Sequence, residues 1–346
     1  MREMGTAFDP DAVMRLTPRV TSPIYTSAVQ KMATAVSAMA WKRSLLILAA
    51  SLFAASLGQA FASESNPSTI SVPDSSALAP RLAATHVRKA ALDEPDLRSS
   101  SVFILDATHS SVLYSRHADV AMPIASITKL MTALVVLQAK QPLDEPIEVT
   151  REDVSRGKGA YSRLLPGTTL SRGDLLHLAL MSSENRAAHA LGRHYPGGVP
   201  AFVQAMNARA TALGMAHTRF VDPAGLSSDN VASPEDLSKL VMAASQNPLI
   251  REYSTDKGYA VRAGRRMLDF RNTDSLVSNP TWNIIVQKTG YISEAGKCLV
   301  MQAIIEGRTI VIVLLDSFGK YTRVADAKRI KKWMEWRLSA GLAQTS

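Results

Sequence analysis

The sequence predicts an α+β fold: one antiparallel sheet built from both ends of the chain, flanked by helices, with a helical lobe inserted between its two halves. Three observations carry this. Short apolar runs bounded by turn residues occur just after residue 100 and again after residue 280. Between them, from Ser126 to Ser245, apolar residues recur at three- and four-residue spacing. The composition, 46% hydrophobic and 20% charged over 346 residues, suits a chain that buries a substantial core and excludes disorder throughout.

The elements follow in order. Residues 101–106 and 112–115, joined by Thr108-His-Ser-Ser111, read as a β-hairpin. Ile127, Leu130, Met131, Leu134, Val135 and Leu137 give one helix beginning at Ser126. Asp174 opens a second helix, which runs to Met181. Ser182-Ser-Glu-Asn185 breaks the pattern, and another helix follows to about Tyr195. Pro200–Leu213 and Pro234–Ser245 are further helices. Strands then return: Trp282–Thr289, followed by a hairpin of Lys297–Ile305 and Thr309–Leu315 around Glu306-Gly-Arg308. Residues 322–340 close the chain as an amphipathic helix.

The N-terminal region reads as an address. Lys42 and Arg43 precede a 14-residue apolar run, Ser44–Leu57, and Ala60-Phe-Ala62 follows it. A basic start, a short apolar stretch and an Ala-x-Ala site define a secretory signal peptide cut after Ala62. A bilayer span needs about 20 apolar residues. The alternative is an uncleaved anchor. Translation is expected to start at Met32 or Met39 rather than Met1, because signal peptides begin close to their basic residues. Residues 63–97, rich in Ser, Pro and Ala, read as a linker. The expected organisation is therefore 1–62 signal peptide with an upstream extension, 63–97 linker, 98–340 catalytic domain and 341–346 tail.

The formal charge of +9 favours anionic partners such as acidic lipid or cell-wall polymer, or is simply a solvated surface. No Lys/Arg run with interleaved aromatics points to nucleic acid. The single cysteine, Cys298, excludes an intrachain disulfide and reads as a buried core residue. The seven histidines show no H-E-x-x-H spacing, so neither a metal nor a cofactor is expected.

Ser126-Ile-Thr-Lys129 is an S-x-x-K motif. Residues three apart share a helix face, so Lys129 can sit beside the Ser126 hydroxyl. A serine needs such a base to become a nucleophile, and the base must itself be neutral. The motif also occurs at Ser155, Ser254 and Ser317, but only at Ser126 does it open a long apolar helix. A second element, Ser183-Glu-Asn185, breaks two apolar helices, where helix capping is the plainer reading. Ser228-Asp-Asn230, the same pattern, reads as a surface turn, and Ser245-Gln-Asn247 is a third match. Lys288-Thr-Gly290 is the only K-T-G and ends a predicted strand, where the glycine permits close approach of a substrate backbone. Taken singly, a strand-end lysine and a turn glycine are the plainer reading.

In the order S-x-x-K, S-x-N, K-T-G, separated by 57 and 105 residues, the three elements resemble those of serine β-lactamases and penicillin-binding proteins. The chain resembles the low-molecular-weight penicillin-binding DD-peptidases, and more narrowly the D-alanyl-D-alanine endopeptidases, over roughly residues 97–340. Further stretches carry the likeness: Leu178–Ala187, His194–Gly198, Ala212–Phe220, Asp222-Pro-Ala-Gly-Leu226, Phe270-Arg-Asn-Thr273 and Leu315–Tyr321. The resemblance implies the β-lactamase/DD-peptidase type of fold and an acyl-enzyme on Ser126, with Lys129 as general base. It implies that Ser183 relays a proton to the leaving amine and Asn185 orients Lys129 and the substrate amide. Lys288 would tune the electrostatics and, with Thr289, hold the substrate carboxylate. The N–H groups of Ser126 and Tyr291 would form the oxyanion hole, and Gly290 would belong to the substrate-binding set.

The resemblance also implies peptidoglycan stem peptides as substrates, β-lactams as covalent inhibitors and a periplasmic location with at most peripheral membrane or wall association. An endopeptidase is expected over a carboxypeptidase, because the chain ends in the closing helix without the extra β-rich domain and amphipathic anchor of the carboxypeptidases. A β-lactamase is disfavoured, because no Glu stands four residues before an Asn. An inactive wall-binding or antibiotic-sensing module is disfavoured, because every motif residue is intact.

Overall fold

The structure, a computed structural model, describes residues 94–155, 161–339 and 341. The signal-peptide reading (1–62), most of the linker reading (63–93), Lys158 and the last five residues lie outside the described residues.

The chain enters through β1 (Ser99–Asp106) and β2 (Ser111–Arg116), a hairpin where one was expected. Pro95 and Leu97, in the stretch read as linker, are already buried. After β3 (Met122–Pro123) comes a 3-10 turn, Ala125–Ile127, and then helix α1 (Thr128–Gln138). A small hairpin, β4 (Pro146–Glu148) with β5 (Thr169–Ser171), precedes α2 (Arg172–Met181), α3 (Asn185–Arg193) and α4 (Gly198–Ala212). Strand β6 (Val231–Ala232) pairs with β3. Then follow α5 (Pro234–Ser245), α6 (Pro248–Thr255) and a second hairpin, β7 (Gly258–Ala263) with β8 (Arg266–Arg271). The chain returns to the sheet through β9 (Asn283–Ile292), β10 (Gly296–Ile305) and β11 (Arg308–Ser317), and closes with α7 (Thr322–Ser339).

The main sheet has the order β2-β1-β11-β10-β9 and is antiparallel throughout, with Ser99 opposite Ser317 and Asp106 opposite Ile310. Both ends of the chain thus build it, as the sequence predicts. Its strands read as continuous apolar runs because both faces are covered. Val102, Ile104, Met301, Ile312 and Leu314 pack with Ile330, Trp333 and Met334 of α7. Phe103, Val300, Val311, Val313 and Leu315 face the helical lobe. Helix α1 is buried from Thr128 to Val136, and so forms the centre of that lobe.

Local signals set the helix starts. Ser171 and Asp174 form a reciprocal capping box that starts α2 at Arg172, two residues before the expected Asp174. Ser233 caps α5, with Pro234 in its first turn. Asn247 caps α6 by accepting from the Leu249 and Ile250 N–H groups, which gives the third S-x-N match a structural role. Helix α6 and the β7–β8 hairpin were not anticipated, being too short and polar to show a sustained period. Cys298 is buried, and burial raises its thiol pKa to about 11.

Candidate active site

Ser126 lies in the 3-10 turn that leads into α1, not in the α-helix itself. The turn starts from Ala125 at φ 47°, a conformation rare for a residue with a Cβ. Two close backbones hold it there. A Cβ on Gly225 (φ 78°) would stand 1.9 Å from the Ala125 carbonyl oxygen. A Cβ on Gly290 would stand 2.8 Å from Ile124 O and 3.3 Å from Ser126 N. Gly290 was expected to admit a substrate backbone; in the structure it admits the Ser126 turn. Thr128 Oγ1 donates back to Ala125 O at 2.8 Å.

Lys129 stands one turn beyond Ser126 and is fully buried. Its Nζ lies 2.7 Å from Ser126 Oγ, 2.8 Å from Asn185 Oδ1 and 2.7 Å from Ala224 O. Burial lowers its pKa from 10.5 to about 7, against the opposing influence of Asp222 and Glu184. The Ala224 carbonyl is aimed by a loop built on Asp222. The Asp222 carboxylate accepts from the N–H groups of Ala224, Gly225 and Ser227. Asn230 Nδ2 donates to Asp222 Oδ2 at 2.8 Å, and Asn230 Oδ1 accepts from Val221 N–H at 2.6 Å. Asn230, read from sequence as part of a surface turn, is fully buried.

Ser183 and Asn185 occupy the break between α2 and α3. Neither caps a helix: Glu184 takes the N-cap position of α3 without a side-chain bond, and the Asn185 amide is committed to Lys129. Ser183 adopts φ 61° and lines the cleft, but its hydroxyl bonds neither Ser126 nor Lys129. Glu184 between them is buried, and burial raises its carboxyl pKa.

Strand β9 continues through Lys288, Thr289, Gly290 and Tyr291 to Ile292, so K-T-G lies within the strand rather than at its end. Lys288 is fully buried and donates to Thr289 O at 3.0 Å. Burial, then the charges of Lys129 and Arg323, push its pKa well below the ordinary lysine value. Lys288 is therefore not among the residues that line the cleft. The polar groups that do line the cleft here are Thr289, Thr273 and Arg323. Thr273 Oγ1 and Thr289 Oγ1 are 2.6 Å apart, and Arg323 Nη1 donates to Gly290 O at 2.8 Å. Arg323 was missed because it lies in the first turn of a helix read only for its apolar stripe. The cleft, about 230 Å³, brings together Ser126, Ser183, Asn185, Thr289, Gly290 and Tyr291, with Tyr161 and Leu226.

The other S-x-x-K serines lie in different settings. Ser155 Oγ bonds His189 Nε2 at 3.0 Å, Ser254 Oγ donates to Arg251 O of its own helix, and Ser317 Oγ is buried against Ser99.

The family model described as D-alanyl-D-alanine carboxypeptidase, peptidase S11, matches residues 88–319. The chain belongs to this family. It is a serine-type D-Ala-D-Ala peptidase, a hydrolase acting on peptidoglycan, and family membership implies that it binds penicillin. Among the relatives of this DD-peptidase, the D-alanyl-D-alanine endopeptidase of Pseudomonas aeruginosa is 50% identical over 244 residues, 70% of this chain and 79% of that protein. The D-alanyl-D-alanine endopeptidase of Escherichia coli is 47% identical over 259 residues, 74% of this chain and 84% of that protein. In structure this DD-peptidase is similar to the Streptomyces K15 DD-transpeptidase, with TM-score 0.65 and 28% identity over 69% of this chain and 98% of that one. The fold is the α+β DD-peptidase fold.

Proposed function

We propose that the protein is a DD-endopeptidase that hydrolyses D-alanyl-diaminopimelate cross-links through an acyl-enzyme on Ser126. The observation that carries the chemistry is the 2.7 Å contact between Ser126 Oγ and a Lys129 whose pKa lies at about 7. A neutral Lys129 takes the Ser126 proton as Oγ attacks the D-alanyl carbonyl. The oxyanion is met by the N–H groups of Ser126 and Tyr291; losing one such donor typically costs about 3–4 kcal/mol of transition-state stabilisation. The proton passes from Lys129 through Ser183 to the leaving amine, a relay that requires the Ser183 hydroxyl to turn toward Lys129 once substrate is bound. Water then hydrolyses the ester. Asn185 holds Lys129 and the substrate amide. Lys288, buried behind Thr289, tunes the electrostatics of the site. The carboxylate beside the scissile bond is held by Thr289 and by Arg323, whose planar fork suits a carboxylate.

The preference for cross-links is supported by the endopeptidase relatives at 47–50% identity. The test is a side-by-side digestion of a purified cross-linked muropeptide dimer and a monomeric pentapeptide, followed by mass-detected chromatography. The dimer is expected to fall to monomers faster than the pentapeptide loses D-alanine, with both reactions abolished by Ser126→Ala. Faster loss of terminal D-alanine makes the enzyme a carboxypeptidase. Undiminished cleavage by the Ser126→Ala variant overturns the catalytic assignment. Benzylpenicillin is expected to leave a persistent adduct on Ser126, and rapid nitrocefin turnover would mark a β-lactamase instead. A periplasmic location, following cleavage after Ala62, is proposed from the sequence; a mature N-terminus at Ser63 is the expected reading of N-terminal sequencing.

A further inference from the structure

The cleft edge beside Thr289 and Arg323 carries more exposed aromatic and basic surface than chemistry at Ser126 requires. Sheet register sets Tyr291 of β9 opposite Lys297 of β10, and Lys297 opposite Ser317 of β11. Phe318 and Tyr321 follow in the connection to α7, 92% and 69% exposed, with Tyr291 at 54%. Two of these rings carry a cation: Lys297 Nζ lies 3.6 Å from the Tyr291 ring centroid, and Lys320 Nζ 5.2 Å from that of Tyr321. Exposed aromatics gathered in one place mark a contact surface.

Arg323 joins this rim to the cleft, since its guanidinium lines the cleft from the first turn of α7. Burial, and then the charges of Arg323 and Lys320, lower the Lys297 pKa, which sets both of those cations within electrostatic range of Lys297. The exposed carboxylates Glu294 and Asp316 share the edge, so cations exceed acids there by one.

The reaction gives this rim a direction. The carboxylate next to the scissile bond sits at Thr289 and Arg323, on the side of the leaving amine. A leaving group of one amino acid ends at that carboxylate. A leaving group that is itself a stem peptide continues past it, and the surface beyond Arg323 is this rim. We propose that Lys297, Phe318, Lys320 and Tyr321 form the subsite for the acceptor stem of a cross-linked peptide, the part released as the amine. The lysines pair with free carboxylates of that stem, and the rings pack its aliphatic segments. This rests on the DD-endopeptidase reading and names the residues that separate a cross-linked substrate from a monomeric one.

The test uses the purified protein, a Phe318→Ala/Lys320→Glu double variant and a Lys297→Gln variant. For each, kcat/KM on the cross-linked dimer is set against the second-order rate of acylation by benzylpenicillin, which has no acceptor stem. The double variant is expected to lose about tenfold on the dimer, with penicillin acylation within about twofold of the parent. The parent's kcat/KM on the dimer is expected to fall with added salt more steeply than its penicillin acylation. Equal loss on both reactions would show a merely structural rim, and an unchanged dimer rate would remove the subsite; either overturns the proposal. A parent enzyme that is acylated normally but leaves the dimer intact overturns the endopeptidase reading itself, a result visible before any variant is made.

Discussion

Replacing Asn185 by aspartate exchanges the amide oxygen 2.8 Å from Lys129 Nζ for a carboxylate, and so tests whether Lys129 works as a neutral base. The three partners of Nζ are two pure acceptors, Asn185 Oδ1 and Ala224 O, and one hydroxyl that can donate, Ser126. A neutral amine matches this set: it donates to the two acceptors and takes the Ser126 proton on its lone pair. With a pKa of about 7, roughly one-eleventh of the enzyme holds neutral Lys129 at pH 6 and ten-elevenths at pH 8, so acylation rises about tenfold over that range. At the unshifted value only about one molecule in 3,000 would be competent at pH 7. An opposite charge this close raises a lysine pKa by about 1–3 units. A rise of about two units in Asn185→Asp leaves roughly one-hundredth neutral at pH 7 instead of one-half, about a fifty-fold slower acylation that recovers above pH 9. The assay is the second-order rate of labelling by a fluorescent penicillin from pH 5.5 to 10. A parent profile whose rising limb lies near pH 10, or a variant slowed equally at every pH, refutes the reasoning.

Other expectations follow from the same geometry. Gly225→Ala sets a Cβ 1.9 Å from a backbone oxygen and strains φ 78°, so the fold is expected to lose about 3 kcal/mol or more, read as a Tm lower by about 10 °C. Gly290→Ala meets softer limits, 2.8 Å to Ile124 O and 3.2 Å to Ala125 Cβ, and is expected to fold while slowing acylation at least tenfold, as a displaced Ser126 turn would; an unchanged labelling rate counts against a tight fit there. Arg323→Ala is expected to raise KM for carboxylate-bearing peptides about tenfold or more, with a smaller effect on an amide-capped analogue; equal losses on both would deny it a role in binding the carboxylate. Asn272 ties Ser254 O and Asp256 O of the α6 end to Gln287 of β9, next to Thr273. Asn272→Ala is expected to lower Tm and raise KM together, and a KM that stays put would limit Asn272 to scaffolding.

Much of this was readable beforehand, for physical reasons. The hairpin at residue 100, the break at 182–185 and helix Pro234–Ser245 carry strong local signals in period, polarity and capping, and they appear where expected. Ser126 and Lys129 are separated by one helical turn, so their contact needs only the local fold. The remaining site residues meet through tertiary structure. Ala224 reaches Lys129 across 95 positions, held by Asp222 and Asn230, and nothing in the letters of that loop shows that its carbonyl turns inward. Asp222-Pro-Ala-Gly-Leu226 and Phe270-Arg-Asn-Thr273 were noticed as likenesses without roles; the structure puts the first beneath Lys129 and the second against Thr289. Lys288 was expected to face the substrate, but the helical lobe covers β9, a sheet-edge strand that sequence alone leaves open on one side.

The pairing of Ser99 with Ser317 has a bearing on how the molecule comes into being. The first hairpin emerges early in synthesis, yet its apolar faces find their partner strand only after more than 200 further residues have been made. The central sheet closes last, and such long-range closure is slow. Until then the Val102, Phe103 and Ile104 strand edge is a site for wrong pairings. A folding helper that shields its first fifty structured residues would act at the most exposed stage.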